Sequence, residues 1–172
     1  MMQKMILDKD MNEIKIGVIS DTHDNMGAIR KAVSFFNEND VELVIHAGDI
    51  VSPFTAEEFK KLKCDMILIY GNNDGDKLYL KEKFSNIGEF HSDPFISELY
   101  GKKIAVTHIP NIVDALAEKY DIVIYGHTHK KDLRIGKSLV LNPGENCGYL
   151  TGVKSVALLY PKKMMAKIFD IE

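Results

Sequence analysis

The chain has 172 residues, of which 45% are hydrophobic and 27% are charged, a composition typical of one soluble globular domain. Its 22 basic and 25 acidic residues give a formal net charge of −3, the wrong sign for a protein that relies on the nucleic-acid backbone for affinity. Two cysteines, Cys64 and Cys147, are too few for a disulfide framework. Since no apolar run reaches the ~18 residues of a membrane span and the N-terminus carries charges, we expect a cytoplasmic protein.

The first half of the chain alternates short apolar runs with helical patterns. We predict strands at residues 14–20, 42–47 and 66–70, because each run is short and rich in β-branched or aliphatic residues. A helix follows each strand, with its apolar residues on one face or with a serine–proline start. The residues that mark these three helices are Ile29, Val33 and Phe36, then Ser52 and Pro53 through Leu62, then Leu80, Phe84 and Ile87.

The second half is richer in strands. Strands at 95–100 and 103–107 flank a hairpin signal at Gly101-Lys102, and a short helix covers residues 111–119. This order predicts one α/β domain over residues 1–172 in which two mixed sheets pack together with helices outside, although strand number alone also allows one doubly wound sheet. Residues 1–10 are interpreted as a disordered N-terminal extension or a misassigned start. The remaining strands are predicted near 121–125, 132–135, 138–141, 153–160 and 164–170.

Polar side chains suited to metal binding follow five of the predicted strands, at the edge where α/β sheets bind ligands. They are carboxylates, an amide and imidazoles without a thiolate, a set that favours manganese, iron, cobalt, nickel or zinc over calcium. Seven donors are too many for one tetrahedral ion and suit two ions that share a carboxylate. In chain order these donors are Asp21, His23, Asp49, Asn72, His108, His127 and His129.

Each of these motifs taken alone has an ordinary structural explanation. Asp49 fits a turn or a helix start, the segment 72–74 fits a turn, and His108 fits a hydrogen-bonded histidine. Their joint occurrence at the same end of successive strands is what predicts a site. Glycines directly precede three of the polar groups and allow close approach around an ion; they are Gly48, Gly71 and Gly126.

Four other residues of these types receive structural interpretations. His46 lies inside a predicted strand, and we expect it to be packed or hydrogen-bonded beneath the site. His91 is assigned to a polar loop without a partner. We expect Cys64 in the core and Cys147 as a small buried thiol.

The ordered motifs D-x-H, GD, GN, H and GHTH resemble those of the calcineurin-like metallophosphoesterase superfamily, above all its small YfcE-type phosphodiesterase branch. The resemblance runs from about residue 14 to 168 and includes the segments 48–54 and 142–144. It implies a four-layer α/β/β/α sandwich and a binuclear metal centre. One ion would be held by Asp21, His23, Asp49 and His129, and the other by Asp49, Asn72, His108 and His127, with Asp49 bridging.

Two positions depart from the pattern of this family. Asn73 stands where many members have a histidine that is taken to protonate the leaving oxygen, a role that an amide does not perform near neutral pH. Ile109 follows His108 where glycine is common, which affects the expected shape of the substrate pocket.

The resemblance implies a two-metal-dependent phosphodiesterase that attacks small phosphodiesters with a metal-bridging hydroxide. Manganese is expected ahead of nickel, iron, cobalt or zinc. The alternatives are a non-catalytic interaction scaffold with the same fold, as in the retromer subunit, and a nuclease, against which the net charge argues. No membrane partner is expected, and a homo-oligomer is compatible with the sequence. The expected catalytic residues are Asp49, Asn72, Asn73 and His108.

Overall fold

Two β-sheets pack face to face, and helices cover the outer face of each sheet, in a computed structural model that describes residues 13–172. This is the four-layer sandwich expected from the sequence, and the alternative of one doubly wound sheet is wrong. The prediction for residues 1–10 lies outside the described residues. Among residues 13–172, no helix is both long and apolar enough to cross a membrane.

Eleven strands lie within residues 13–172. They are β1 (Ile16–Ile19), β2 (Leu43–His46), β3 (Asp65–Ile69), β4 (Gly88–His91), β5 (Phe95–Leu99), β6 (Lys102–Thr107), β7 (Ile122–Tyr125), β8 (Lys131–Ile135), β9 (Leu139–Pro143), β10 (Ser155–Tyr160) and β11 (Met165–Asp170). The first sheet has the order β11-β10-β1-β2-β3-β4, and the second has the order β5-β6-β7-β9-β8.

Both sheets contain a parallel centre. Strands β1 to β4 pair in parallel, as do β6, β7 and β9, whereas the outer pairs β10–β11, β5–β6 and β8–β9 are antiparallel. Because parallel strands end at the same edge, the loops after β1, β2 and β3 converge, as do those after β6, β7 and β9. The fold thereby brings distant parts of the chain to one place.

Within residues 13–172, three α-helices cover the first sheet and one covers the second. They are α1 (Met26–Glu38), α2 (Ala56–Phe59), α3 (Lys77–Lys83) and, on the second sheet, α4 (Val113–Ala117). In α1 the Asn25 side chain accepts the N–H of Ala28 at 3.1 Å and so caps the first turn. The apolar stripe of α1 packs so closely on β1 that a Cβ at Gly17 would stand 2.7 Å from two carbons of the Phe36 ring.

The core lies in layers, because successive side chains of a strand point to opposite faces of its sheet. Between the sheets pack Ile16 and Val18 of β1, together with aliphatic residues of β2, β3, β6, β7, β9 and β10. Ile19 instead faces the helices of the first sheet. Strands buried on both faces explain why the apolar runs of the sequence are nearly continuous.

Two predictions about local structure are wrong. His91 is in strand β4 rather than a loop, and its ring centroid lies 4.2 Å from that of Phe95. The helical segment does start at Ser52 and Pro53, but it begins as a 3-10 turn at Pro53–Thr55 and its α-helix α2 ends at Phe59 rather than at Leu62. The Ser52 hydroxyl donates to Asp24 at 2.6 Å instead of capping the helix.

Candidate metal centre

The seven predicted donors come together at the shared edge of the two sheets. Loops of the first sheet supply the donors up to residue 72, after β1, β2 and β3, and loops of the second sheet supply the imidazoles after β6 and β7. The individual donors are Asp21 and His23 after β1, Asp49 after β2, Asn72 after β3, His108 after β6, and His127 and His129 after β7.

The donor atoms form two adjoining clusters. In the first cluster, Asp21 Oδ1 lies 3.5 Å from His129 Nε2 and 3.8 Å from His23 Nε2. His23 Nε2 is also 3.4 Å from Asp49 Oδ2. This oxygen of Asp49 therefore borders the first cluster.

The second cluster starts from the same oxygen of Asp49. His108 Nε2 lies 3.3 Å from Asp49 Oδ2. The amide oxygen of Asn72 is 3.0 Å from His108 Nε2 and 2.9 Å from His127 Nδ1. Asp49 thus stands between the two clusters, where a bridging ligand would stand.

Two buried donor atoms indicate that these clusters suit cations. Within residues 13–172, Asp21 Oδ1 and His23 Nε2 are buried without a hydrogen-bond partner. An unpaired buried polar group is costly, so both atoms would gain from a ligand. Ligand atoms of Asp21, Asp49 and His108 also lie within 4.8 Å of one another. The donor set fits divalent metal ions.

Two of the imidazoles are oriented by acceptors behind them. His108 Nδ1 lies 2.8 Å from the carbonyl oxygen of Ala47, and His129 Nδ1 lies 2.6 Å from Glu145 Oε2. Both partners can only accept, so each Nδ1 carries the hydrogen and each Nε2 has its lone pair directed at the cluster in the neutral ring. This is how proteins usually orient metal-binding histidines.

The backbone of the site is strained. Five of the seven donors have left-handed backbone angles, which residues other than glycine rarely adopt. Such strain persists where surrounding contacts enforce it, and it concentrates at functional sites. The φ angles are 53° at Asp21, 38° at His23, 61° at Asp49, 71° at His127 and 60° at His129.

Glycine is required where the loops crowd together. A Cβ at Gly48 would stand 2.6 Å from His108 Nδ1, and a Cβ at Gly71 would overlap Asp49 Oδ1. At Gly126 it would overlap the Ser20 hydroxyl. The prediction that these three glycines permit close approach is confirmed.

Asp74 holds two of the loops together from behind. Its carboxylate accepts the N–H of Gly71 at 2.6 Å, of Val51 at 2.7 Å and of Asp49 at 3.0 Å. It is only 5% exposed. The segment 72–74 is therefore more than a turn, because its aspartate fixes the position of Asp49.

His46 also supports the site, as expected. Burial lowers its pKa to about 3, so the ring is neutral. Nδ1 accepts the N–H of Gly48 at 3.2 Å, which leaves the hydrogen on Nε2 to be donated to Thr22 Oγ1 at 3.1 Å. This chain of bonds joins the loops after β1 and β2.

The charges at the centre favour an ionised Asp49. Burial alone would raise the pKa of Asp49, but hydrogen bonds from His108 and Asn73 hold it well below the usual carboxyl range. Burial also lowers the pKa of His108, yet the bond to Asp49 and the charge of that group raise it to about 8 overall. In the metal-free protein, the pair is therefore a carboxylate beside an imidazolium near neutral pH.

Asn73 contacts Asp49 directly. Its backbone N–H donates to Asp49 Oδ1 and its side-chain amide donates to Asp49 Oδ2, both at 2.8 Å. The residue thus orients the carboxylate at the middle of the two clusters.

Sequence reasoning missed Glu145, which is 1% exposed and binds His129. Burial would raise its pKa, but bonds from His129 and Thr151 lower it to about 2. Glu145 also accepts a hydrogen bond of 3.2 Å from the thiol of Cys147, which is buried as expected. A lone glutamate between two glycines of a loop was the only signal available.

Cys64 is half-buried and packs against the core.

Comparison with known proteins gives one family. Residues 14–164 match the calcineurin-like phosphoesterase superfamily domain. The chain is 45% identical over 157 residues to phosphodiesterase MJ0936 of Methanocaldococcus jannaschii, covering 87% of this chain and 95% of that protein. A solved archaeal phosphodiesterase superposes with a TM-score of 0.87 at 40% identity, covering 92% of this chain and all of that one. YfcE, a phosphoesterase from E. coli, shares the fold at 16% identity, with a TM-score of 0.60 over 92% of this chain and all of that one.

Proposed function

Because the chain belongs to the calcineurin-like phosphoesterase superfamily, we propose that it is a metal-dependent phosphodiesterase with a binuclear centre. The observation that carries this proposal is the pair of adjoining donor clusters that share Asp49 Oδ2. The names of the similar archaeal phosphodiesterases support the choice of a diester as substrate.

The donors divide between two ions in this proposal. Asp49 is the shared ligand. When bound, two divalent ions would supply Lewis acids for the phosphoryl oxygens and a water acidic enough to attack phosphorus as hydroxide near neutral pH. Manganese is our first choice, with nickel, iron, cobalt and zinc as alternatives. The first ion would be held by Asp21, His23, Asp49 and His129, and the second by Asp49, Asn72, His108 and His127.

The residues of the chain prepare this site before any substrate arrives. Ala47 and Glu145 fix the ring orientation of two imidazoles, and Asn73 and Asp74 fix Asp49. Two divalent ions bring four positive charges against two negative charges from Asp21 and Asp49. The loaded centre would therefore attract an anion such as a phosphodiester.

The proposed catalytic residues have distinct tasks. Asp49 would be shared by the two ions, and Asn72 and His108, which line the adjoining cavity, would hold the second ion. Asn73 orients Asp49 through its amide. Since the amide of Asn73 does not act as an acid near neutral pH, we expect esters with good leaving groups to react much faster than dialkyl esters. Equal rates for bis-p-nitrophenyl phosphate and a dialkyl phosphate would refute this expectation.

The test combines metal analysis with hydrolysis of bis-p-nitrophenyl phosphate in the presence of each metal. Asp49→Asn should lower the rate by more than about 100-fold, since even the loss of a residue behind a metal ligand costs 10–100-fold. Asp65→Asn is the matched control, because Asp65 is exposed at the opposite end of β3. Protein that binds no metal and cleaves no diester would overturn the proposal and leave the interaction scaffold.

A further inference from the structure

Strand β8 lies at the end of the second sheet, and one of its two long edges is unpaired. It bonds to β9 in the order β5-β6-β7-β9-β8. Within residues 13–172, no other strand pairs with it, and four of its five residues are exposed. An unpaired edge presents a row of N–H and C=O groups to which a further strand can add. The outer edge of β8 therefore offers a place for another strand.

The hydrogen bonds of β9 show which backbone groups of β8 point outwards. Leu139 of β9 donates its N–H to Asp121, on the side of β7. Because the residues of a strand bond alternately to one side and the other, the even-numbered residues of β9 bond to β8. In the register of the pair, they face the even-numbered residues of β8. The backbone groups directed at the outer edge therefore belong to Lys131, Leu133 and Ile135.

Two apolar side chains of β8 are exposed on the face that turns towards the first sheet. Leu133 and Ile135 stand opposite Leu141 and Leu139, which lie in the core between the sheets. Side chains directly opposite each other share one face of the sheet. At the end of the sheet, however, Leu133 is 37% exposed and Ile135 is 60% exposed. A strand beside β8 would remove this apolar surface from water.

The charges of β8 complement those of a second β8 in one antiparallel register. Charged side chains on an edge strand oppose pairing unless opposite charges meet. When two copies pair about Leu133, the Asp132 carboxylate of each stands opposite the Arg134 guanidinium of the other. A shift by two residues sets Asp132 against Asp132 or Arg134 against Arg134, and a shift by one misaligns the outward backbone groups. The register about Leu133 is therefore favoured.

We propose that β8 pairs antiparallel with β8 of a second copy of this chain, about a two-fold axis at Leu133. Each Leu133 then exchanges backbone hydrogen bonds with its equivalent, and Lys131 exchanges them with Ile135 of the other copy. The same surface serves both copies, as a two-fold dimer requires. The two five-stranded sheets become one continuous sheet.

The charged groups at this edge can take part in such a dimer. Arg134 donates to Asp114 and Asp132 of its own chain, but the side chains of Arg134 and Asp114 are 50% and 85% exposed. Exposed ion pairs contribute little to stability, so their rearrangement towards a second copy has a small cost. The Lys131 ammonium pairs with Asp170 of β11, and its aliphatic stem is available for apolar contact.

Amide hydrogen exchange tests the proposal on the unmodified protein. Sedimentation equilibrium over a range of concentrations first measures the association of the 19.4 kDa chain. In the dimer, the N–H groups of Leu133 and Ile135 should exchange at least about 10-fold more slowly than in the monomer, because they leave water for backbone acceptors. The N–H of Leu78, an exposed residue in the first turn of α3, should exchange equally fast in both states.

Three outcomes of this experiment would overturn the proposal. The first is a protein that remains monomeric up to about 1 mM, the concentration of a very weak complex. The second is a dimer in which the Leu133 amide exchanges at the monomer rate, since its interface then lies elsewhere. The third is slow exchange of this amide already in the monomer, which would assign the edge to another segment of the same chain.

Two charge variants test the register. Arg134→Glu sets glutamate against Asp132, and Asp132→Lys sets lysine against Arg134, so each should raise the dissociation constant of the dimer at least about 10-fold. An equimolar mixture of the two variants should form a heterodimer, because one β8 is then acidic where the other is basic. The control Lys31→Glu makes the same charge change as Arg134→Glu at an exposed position of α1 and should leave the constant unchanged.

Urea unfolding establishes that each variant is folded. If both variants unfold cooperatively and their mixture stays monomeric, the register about Leu133 is wrong and the proposal is overturned. If one variant does not fold, the exchange rates of the Leu133 and Ile135 amides in the unmodified protein decide the question.

Discussion

Replacing Glu145 by glutamine should weaken metal binding without touching a metal ligand. The carboxylate of Glu145 receives five donors: His129 Nδ1, the Cys147 thiol, the backbone N–H groups of Leu150 and Thr151, and the Thr151 hydroxyl. Glutamine replaces one acceptor oxygen by an NH₂ group, which must then face donors. In either orientation, the amide of glutamine places an N–H donor against another donor.

If the new NH₂ faces His129, Nδ1 of that ring must accept, and the hydrogen moves to Nε2, 3.5 Å from Asp21 Oδ1. Nε2 then has no lone pair for a metal. If the NH₂ faces the other way, it meets the N–H of Thr151, whose bond to the carboxylate is 2.5 Å long. The loop that carries Glu145 is then destabilised.

The expected loss in manganese affinity is about 10–100-fold, as for other residues that orient metal ligands. This corresponds to about 1.4–2.7 kcal/mol. Isothermal titration of metal-free protein measures the affinity, and long-range ¹H–¹⁵N spectra report the tautomer of His129. The control Glu118→Gln changes an exposed glutamate. Unchanged affinity together with an unchanged tautomer in Glu145→Gln would refute the reasoning.

Three further predictions concern protons, packing and the loop after β3. Metal binding at pH 7 should release about half to one proton from His108, because its pKa is raised to about 8 and the ring must lose a proton to bind a metal. The release should vanish well above pH 8, and a binding enthalpy independent of buffer ionisation would contradict this. Gly17→Ala should lower the free energy of unfolding measured in urea by about 1–3 kcal/mol, because the new Cβ would stand 2.7 Å from the Phe36 ring. A free energy of unfolding equal to that of the wild type would contradict this. Asp74→Asn should lower stability by about 1.5–3 kcal/mol and weaken manganese binding, because its carboxylate holds the Asp49 N–H; wild-type unfolding and affinity would contradict this.

The donor positions could be predicted because they depend on strand ends alone. Once the apolar runs before Asp21, Asp49 and Asn72 are taken as parallel strands, their following residues must share one edge. The order of strands and helices already predicted two packed sheets, and the family resemblance added the four-layer sandwich and excluded one doubly wound sheet.

The supporting residues could not be predicted because their role depends on partners distant in sequence. Glu145 acts on His129 across 16 positions and Asp93 acts on His108 across 15. Strand β4 was missed because its sequence, Gly-Glu-Phe-His, lacks an apolar run, and only Phe90 in it is buried.

The division of the donors between the two sheets has a consequence for the order of folding. In the first sheet, β1 pairs with β10, so this sheet is incomplete until the C-terminal strands β10 and β11 have paired with it. The imidazoles of the second sheet reach Asp21 and Asp49 only after the sheets have docked. Closing such long loops lowers the entropy of the chain before the donor atoms come together. A metal ion would therefore be captured by the finished sandwich, and its retention would report that both halves of the chain are correctly assembled.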